Sequence, residues 1–457
     1  MSKLLESTLI TGDSYKYGHP FLLRDDIAYQ YNYMEARKGD DIIFVGMQYY
    51  IKKYLTKVPS KKQIKKVKKM ALKHGVYFDE KMWKYINKLG YYPIRINAIQ
   101  EGTKVPSSVP LATFENTDPE CVGLVGFLET LFMKVWMPTS VATQSYEVKQ
   151  TLLKYGTPDW AEYAYHNFGS RSTTSLEHDM IAGYAHLTQF KGTDSFSSLF
   201  FCEKYYNQIK EPAGYSVLAT EHSVTAMNGV ENEEEFVYNT LLNNPDSPTI
   251  SFVGDSYDIY KFTDFVTNPN GRIRQLLDKR PDQKLVIRPD SGAPIYVLSK
   301  IITIMENNDC FASVINGKLL STKYGLLWGD GITHSMTERI LKHFTEIGYV
   351  AENFIFGSGT NLVNSKDRDT QGFAIKCSSV TLKDGTELDV FKNPITAPNK
   401  KSKRGRVETA FNTAKKTYRT TKGGYKDLET EALQLVFEDG KLYNETSLEN
   451  IRSNSLK

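Results

Sequence analysis

An aromatic ring, a guanidinium, a carboxylate and an imidazole follow one another along this chain, each beside glycine or another small residue. They stand in His166-Asn167-Phe168-Gly169-Ser170-Arg171, then Lys191-Gly192-Thr193-Asp194, then Glu221-His222-Ser223. Such a set suits a flat heteroaromatic ring held next to a phosphorylated group. A phenyl face stacks on the ring, and a guanidinium pairs with phosphate oxygens. A carboxylate reads ring substituents, while an imidazole handles charge or a phosphoryl group near neutral pH.

Comparable groups recur further on, always after a short apolar run. The run 249–253 ends in Gly254-Asp255-Ser256, and 285–287 ends in Arg288-Pro289-Asp290-Ser291-Gly292. The run 326–328 ends in Gly329-Asp330-Gly331, and 353–356 ends in Gly357-Ser358-Gly359. Arg171, Arg288 and Arg368 are candidate phosphate ligands, because guanidinium meets phosphate bidentately. The two Gly-x-Gly turns expose backbone N–H groups, which attract anions. Asp194, Asp255, Asp290 and Asp330 are carboxylates suited to ribose hydroxyls or Mg²⁺. Together they favour a phosphorylated sugar as ligand.

His222 differs from the other histidines. Glu221 precedes it, and Asp255, at the end of the next apolar run, is placed to orient one ring nitrogen. The other nitrogen is then a nucleophile toward phosphate. His19, His74, His178, His186, His334 and His343 lack such a setting and are read as structural, and His166 as shaping the loop of Phe168. Asp13-Ser14-Tyr15-Lys16 admits two readings: a helix cap with a buried tyrosine, or a second ring brought to Phe168 by a neighbouring subunit.

These groups need an α/β frame to hold them. Apolar runs without alternation, spaced widely enough for helices such as 297–305 and 337–347, predict buried parallel strands joined by helices. Functional residues at each C-terminal end point to a barrel with its site on that face. A Rossmann sheet is the competitor, but no Gly-x-Gly-x-x-Gly follows an early strand. A chain of 457 residues suits more than one core. We expect a mixed α+β domain from 1–160 with 390–457, contributing a dimer interface, and an irregular α/β barrel over 161–389 carrying the site. Helices are expected over 47–58 and 61–74, the second with Ile64, Val67 and Ala71 on one face and lysines as its solvated cover. Asp118 and Pro119 should open a buried helix through Met137, interrupted by Glu129 and Lys134 and so short of a membrane span. From about Val380 the tail reads as basic and irregular. Its run 399–406 (NKKSKRGR) is open to three readings: a disordered cationic loop, a phosphate-facing loop or a nucleic-acid patch.

Composition narrows the classes further. Hydrophobic residues at 40% and charged residues at 24% suit a globular enzyme, and a net charge of +4 argues against a nucleic-acid partner. Four scattered cysteines without a Cys-x-x-Cys pair argue against structural zinc and suit reduced thiols. A cytoplasmic protein without membrane attachment is expected.

In its motifs the chain resembles the nicotinamide phosphoribosyltransferase family of type II phosphoribosyltransferases, over nearly its whole length. The resemblance rests on Asp13-Ser14-Tyr15-Lys16, Gly46-Met47-Gln48-Tyr49, the run 115–121, Phe190-Lys191-Gly192-Thr193-Asp194, Glu221-His222-Ser223, the run 255–260, the run 287–292, Phe356-Gly357-Ser358-Gly359 and Pro398-Asn399-Lys400. It implies a homodimer with shared sites at barrel mouths. There 5-phosphoribosyl passes from phosphoribosyl pyrophosphate to nicotinamide with Mg²⁺, giving nicotinamide mononucleotide in NAD salvage. It also implies roles. Phe168 and Tyr15 of the partner subunit sandwich the pyridine, and Asp13 lies beside that tyrosine. Arg171 and Asp194 read the carboxamide. Arg288, Asp290 and Ser251 hold the amide side and the ribose. Gly329, Asp330 and Gly359 take the 5′-phosphate and sugar, and Arg37, Arg368, Lys376 and Lys400 reach phosphates across the dimer. His222, with Glu221 and Asp255, would be phosphorylated by ATP.

Three positions depart from the family pattern. Asn167 replaces Asp, Thr360 a glycine and Ala374 a serine. They bear on affinity for phosphoribosyl pyrophosphate and leave the reaction class alone. The alternatives are a nicotinate phosphoribosyltransferase of the same fold and a non-catalytic nucleotide-binding homologue.

Overall fold

The computed structural model describes residues 2–311, 313–396 and 401–455. Two compact units share the chain: Met1–Thr143, Cys202–Gln208 and Lys366–Lys457 form one, and Gln144–Phe201 with Ile209–Ser365 form the other.

The first unit is built on a seven-stranded antiparallel sheet. Its order is Glu387–Asp389, Ala374–Leu382, Ile27–Glu35, Ala112–Asn116, Ile94–Ile99, Leu433–Glu438 and Lys441–Leu442. Helix Val122–Met133 packs on it and buries Leu124, Val125, Phe127, Leu128, Leu131 and Phe132. The helical run Pro119–Tyr155 is long and apolar enough to cross a membrane by length and composition. These buried side chains make its first part a core element. The Asp118 carboxylate accepts the Glu120 N–H at 2.9 Å, as an N-cap should, but it caps a 3-10 turn, Pro119–Cys121, ahead of the α-helix. The helix ends at Met133 and a separate one, Trp136–Tyr155, follows.

Helix Lys61–Lys73 meets its expectation. Ser60 and Gln63 cap each other reciprocally, and Ile64, Val67 and Ala71 are buried. Helix Met47–Tyr54 stops short of Val58. The tail corrects an expectation. It is largely β rather than irregular, with strands Glu408–Asn412, Thr417–Thr421 and Glu429–Glu431 forming a small sheet beside the main one's Leu433–Glu438. Its strands are short and mostly charged or hydroxylated, so the alternation that marks a strand is faint. Three of its cations are ion-paired: Lys403 with Glu35, Arg404 with Asp389 at 3.8 Å, and Arg406 bidentately with Glu115 at 2.5 and 2.8 Å. Asn399 and Lys400 lie outside the described residues.

In the second unit six strands run parallel, in the order Tyr165–Asn167, Phe354–Ser358, Tyr324–Trp328, Lys284–Arg288, Thr249–Val253 and Leu218–Ala219. Both faces are buried: Ile250, Phe252, Leu285, Ile287, Tyr324 and Leu326 lie on one, and Val286, Leu327 and the polar Ser251 on the other. Helices Ile259–Thr267, Pro294–Asn307 and His334–Glu346 supply the crossovers. The sheet curls into an irregular barrel. Gly192 and Thr193 bridge its open seam through single parallel pairings, Asn167 with Thr193 and Gly192 with Tyr215.

Phe132 is fully buried with its ring 5.0 Å from Phe114. Phe132→Ala should destabilise the first unit by about 3–5 kcal/mol, the range for a large aromatic deleted from a core. Urea unfolding followed by circular dichroism measures this, and a loss under about 1 kcal/mol would contradict the packing described.

Candidate active site

Because the strands are parallel, their C-terminal ends share one rim. Phe168 follows the strand ending at Asn167, Asp194 follows the bridging Thr193, and His222 stands shortly after Ala219. Asp255, Asp290, Gly329 and Gly359 follow the remaining four strands, while Ser251 lies within its strand and Arg288 closes its own. The seam places Phe168, Asp194, Ser251 and Arg288 around one small cavity, together with His166 and Ser216.

Phe168 is held tightly. Its N–H donates to the Ser358 carbonyl at 2.8 Å, and a Cβ on Gly357 would lie 1.9 Å from its ring. Only glycine fits there. The Arg288 guanidinium stands 5.2 Å from the ring centroid and also pairs with Asp290 at 3.2 Å. Its Nε is buried without a partner among the described residues, so one donor of the fork is uncommitted. Asp194 accepts the Ser216 hydroxyl at 2.6 Å. His166 lies against Gly192, where a Cβ would come within 2.7 Å of the imidazole. Burial lowers its pKa, against the opposing pull of Asp194, so a neutral ring faces the cavity.

Asp255 is the hub of the other side. One oxygen meets His222 Nε2 at 2.9 Å, and the other accepts the Asp290 N–H at 3.0 Å and the Ser291 hydroxyl at 2.5 Å. Burial pushes its pKa up, but the bonds from Ser291, the Asp290 N–H and His222 outweigh it and hold the carboxyl below its ordinary value. His222 itself is half exposed at the start of helix His222–Asn228, with Nδ1 turned away from Asp255. The Glu221 carboxylate accepts the Ser223 hydroxyl rather than bonding the imidazole.

Arg171 sits exposed in the 3-10 turn Ser170–Ser172, and Thr360 bonds the Ser172 hydroxyl at 2.7 Å. The Gly329 Cα approaches Asp290, and the Asp330 carbonyl accepts the Trp328 indole at 2.7 Å. Five of the described site residues belong to the first unit. The Asp13 carboxylate accepts the Thr130 hydroxyl at 2.9 Å, and Tyr15 is 60% exposed, enough surface for a ring to cover. Arg37 pairs with Glu35 at 2.9 Å and Arg368 with Asp369 at 2.8 Å. Burial lowers the pKa of Lys376, and Arg37, Lys392 and Lys16 act in the same direction. Ala374 is paired in register with Glu35. Ser216 and Ser291 were not singled out from sequence. Ser291 lies inside the quoted Arg-Pro-Asp-Ser-Gly run, whereas nothing around Ser216 marks it.

The described residues include no group of three His, Cys, Asp or Glu that could hold a metal ion. Asp290, paired with Arg288, and Asp330 stand at adjacent strand ends.

The chain is similar to known proteins over nearly its whole length. A profile of the nicotinate phosphoribosyltransferase family matches residues 163–423, and one of the nicotinamide phosphoribosyltransferase N-terminal domain matches 7–96. A nicotinamide phosphoribosyltransferase of Xanthomonas campestris is 34% identical over 472 residues, covering 99% of this chain and 98% of the relative. One from Acinetobacter baylyi is 28% identical, covering 90% and 88%. Among solved structures, a nicotinate-nucleotide pyrophosphorylase of Pyrococcus furiosus has a TM-score of 0.66 at 12% identity, covering 98% of this chain and 95% of that one. Human nicotinic acid phosphoribosyltransferase has a TM-score of 0.55 at 13% identity, covering 97% and 92%. These two show the fold.

A carboxylate with a depressed folded pKa adds stability that is present above its unfolded value, about 3.9, and is lost as pH falls through the folded one. The stability gap between wild type and Asp255→Asn should therefore narrow on acidification below about pH 4. Unfolding midpoints across pH measure it, and a gap independent of pH would contradict the charge state assigned to Asp255. By its full-length relative and its profile matches, the chain belongs to the nicotinamide phosphoribosyltransferase family, a group of pentosyltransferases.

Proposed function

We propose that this enzyme transfers 5-phosphoribosyl from phosphoribosyl pyrophosphate to the ring nitrogen of nicotinamide, giving nicotinamide mononucleotide and pyrophosphate in NAD salvage. The observation that carries this reading is the cavity where Phe168 and Asp194 face a common space under Arg288. Phe168 supplies a fixed stacking face, and the Asp194 carboxylate accepts the amide N–H of nicotinamide. Nicotinate would set carboxylate against carboxylate there. Names of the relatives support nicotinamide as substrate.

The transfer proceeds with positive charge developing on the anomeric carbon as pyrophosphate leaves. Asp290 is placed for the ribose hydroxyls, and the turns at Gly329, Asp330 and Gly359 offer N–H groups to the 5′-phosphate. The protein's part is to position both substrates and stabilise the departing charge. Magnesium fits as an ion carried on the substrate's phosphates, with Asp290 and Asp330 the carboxylates to hold it; bound, it neutralises the leaving group. Arg37, Arg368 and Lys376 supply phosphate contacts across a homodimer, and the exposed Tyr15 of the partner subunit covers the other face of the ring. ATP is the phosphoryl donor to His222: the Nδ1–P bond forms as the γ-phosphoryl leaves ADP, with Asp255 steadying the ring through Nε2. The setting is cytoplasmic, which suits four free thiols.

The test is a product assay with nicotinamide, phosphoribosyl pyrophosphate and Mg²⁺. Nicotinamide mononucleotide should form, and nicotinamide should be used faster than nicotinate; no product, or faster nicotinate use, would overturn the reading. Asp194→Asn should cut the nicotinamide-over-nicotinate ratio of kcat/KM by roughly tenfold or more; an unchanged ratio removes Asp194 from that role. Incubation with γ-labelled ATP should leave an acid-labile label that His222→Ala loses. Label persisting in that variant would place the phosphoryl group elsewhere.

A further inference from the structure

Asn167 is fully buried at the end of the strand Tyr165–Asn167, on the seam of the barrel. It pairs with Ser358 on one side and with Thr193 on the other. Its N–H donates to the Gly192 carbonyl at 3.3 Å, and its carbonyl accepts the Asp194 N–H at 3.0 Å. The side chain adds a further tie, because Oδ1 accepts the Gly169 N–H at 2.8 Å. Gly169 has no room to shift toward its neighbour, since a Cβ there would lie 2.4 Å from Val363 Cγ1. Its carbonyl in turn accepts the Ser172 N–H at 2.8 Å, closing the 3-10 turn that carries Arg171. Asn167 therefore has a bond to Gly192, two residues before Asp194, a bond to Asp194 itself, and a clasp around Phe168.

We propose that Asn167 is a positioning residue for recognition of the pyridine ring, an inference that rests on the function proposed above. Its backbone bonds survive any change of side chain. The Oδ1 bond does not, and losing it leaves the Gly169 N–H buried without an acceptor. The chain must then turn that N–H toward water or another acceptor, which rotates Phe168 off its plane and moves Arg171. Nδ2 has no partner among the described residues, so the oxygen is the part of the amide that matters. Of the turns proposed for the 5′-phosphate, Gly329 and Asp330 follow a strand that Asn167 does not touch, and Gly359 follows Ser358, which Asn167 meets only through the backbone pairing that any side chain keeps. Asn167 thus acts on the ring substrate, although by sequence its departure pointed to phosphoribosyl pyrophosphate.

The experiment is steady-state kinetics on the full-length enzyme with Asn167→Ala and Asn167→Asp, alongside thermal unfolding of each. Asn167→Ala should raise KM for nicotinamide by about tenfold while KM for phosphoribosyl pyrophosphate stays within about twofold. Asn167→Asp keeps an oxygen at the Gly169 N–H and should restore the nicotinamide KM even where the buried carboxylate lowers the melting temperature. A nicotinamide KM unchanged in Asn167→Ala, a parallel rise in both KM values, or no rescue by Asp would overturn the proposal. Should Asn167→Ala fail to fold, Asn167→Cys removes the oxygen while filling the space, and its KM carries the same decision. A wild-type enzyme making no nicotinamide mononucleotide would instead overturn the function itself.

Discussion

Parallel pairing in the second unit is what allows residues from distant stretches of the chain to meet. Six strands pointing the same way deliver Phe168, His222, Asp255, Asp290, Gly329 and Gly359 to a single rim. The pairing leaves a seam between the first strand and the last, and Gly192 and Thr193 span it with single bridges. Glycine is needed there because the imidazole of His166 occupies the space a side chain would take. The same economy of space governs Phe168, whose ring fills the position a Cβ of Gly357 would claim. A stacking face held this closely keeps little rotamer freedom to lose when a ring settles on it.

On the opposite side of the rim, charge replaces packing as the organising force. Asp255 gathers the His222 imidazole, the Asp290 N–H and the Ser291 hydroxyl around its two oxygens. A buried carboxylate with so many donors is fixed in place, and it fixes the histidine in turn. The first unit handles its charges by pairing: Lys403, Arg404 and Arg406 all end on carboxylates, as do Arg37 and Arg368. Arg404–Asp389 and Arg368–Asp369 lie at the surface, where a pair adds little stability, whereas Lys403, Arg37 and Arg406 reach the more buried Glu35 and Glu115.

Much of the second unit was legible in the chain. Short apolar runs ending in Gly–Asp, Arg–Pro–Asp or Gly–Ser turns mark four of its strands, because strands covered by helices carry no polar alternation. The shortest strands, Tyr165–Asn167 and Leu218–Ala219, were illegible as strands, since two or three residues hold no period. The bridging pair Gly192–Thr193 was noticed for its chemistry and not for its structural role. Ser216 gave no signal, as its tie to Asp194 exists only once the seam is closed. The carboxy-terminal strands were missed for another reason: their charged side chains belong to ion pairs that only the folded sheet brings together.

The central claim is that the seam forms a seat for a pyridine ring, with Phe168 as its floor and Asp194 as its reader. A crystal structure of the enzyme with nicotinamide bound tests this most directly. The account predicts the ring stacked on Phe168, its amide nitrogen within hydrogen-bonding distance of the Asp194 carboxylate. A ring bound away from Phe168, or with its amide turned from Asp194, would contradict it.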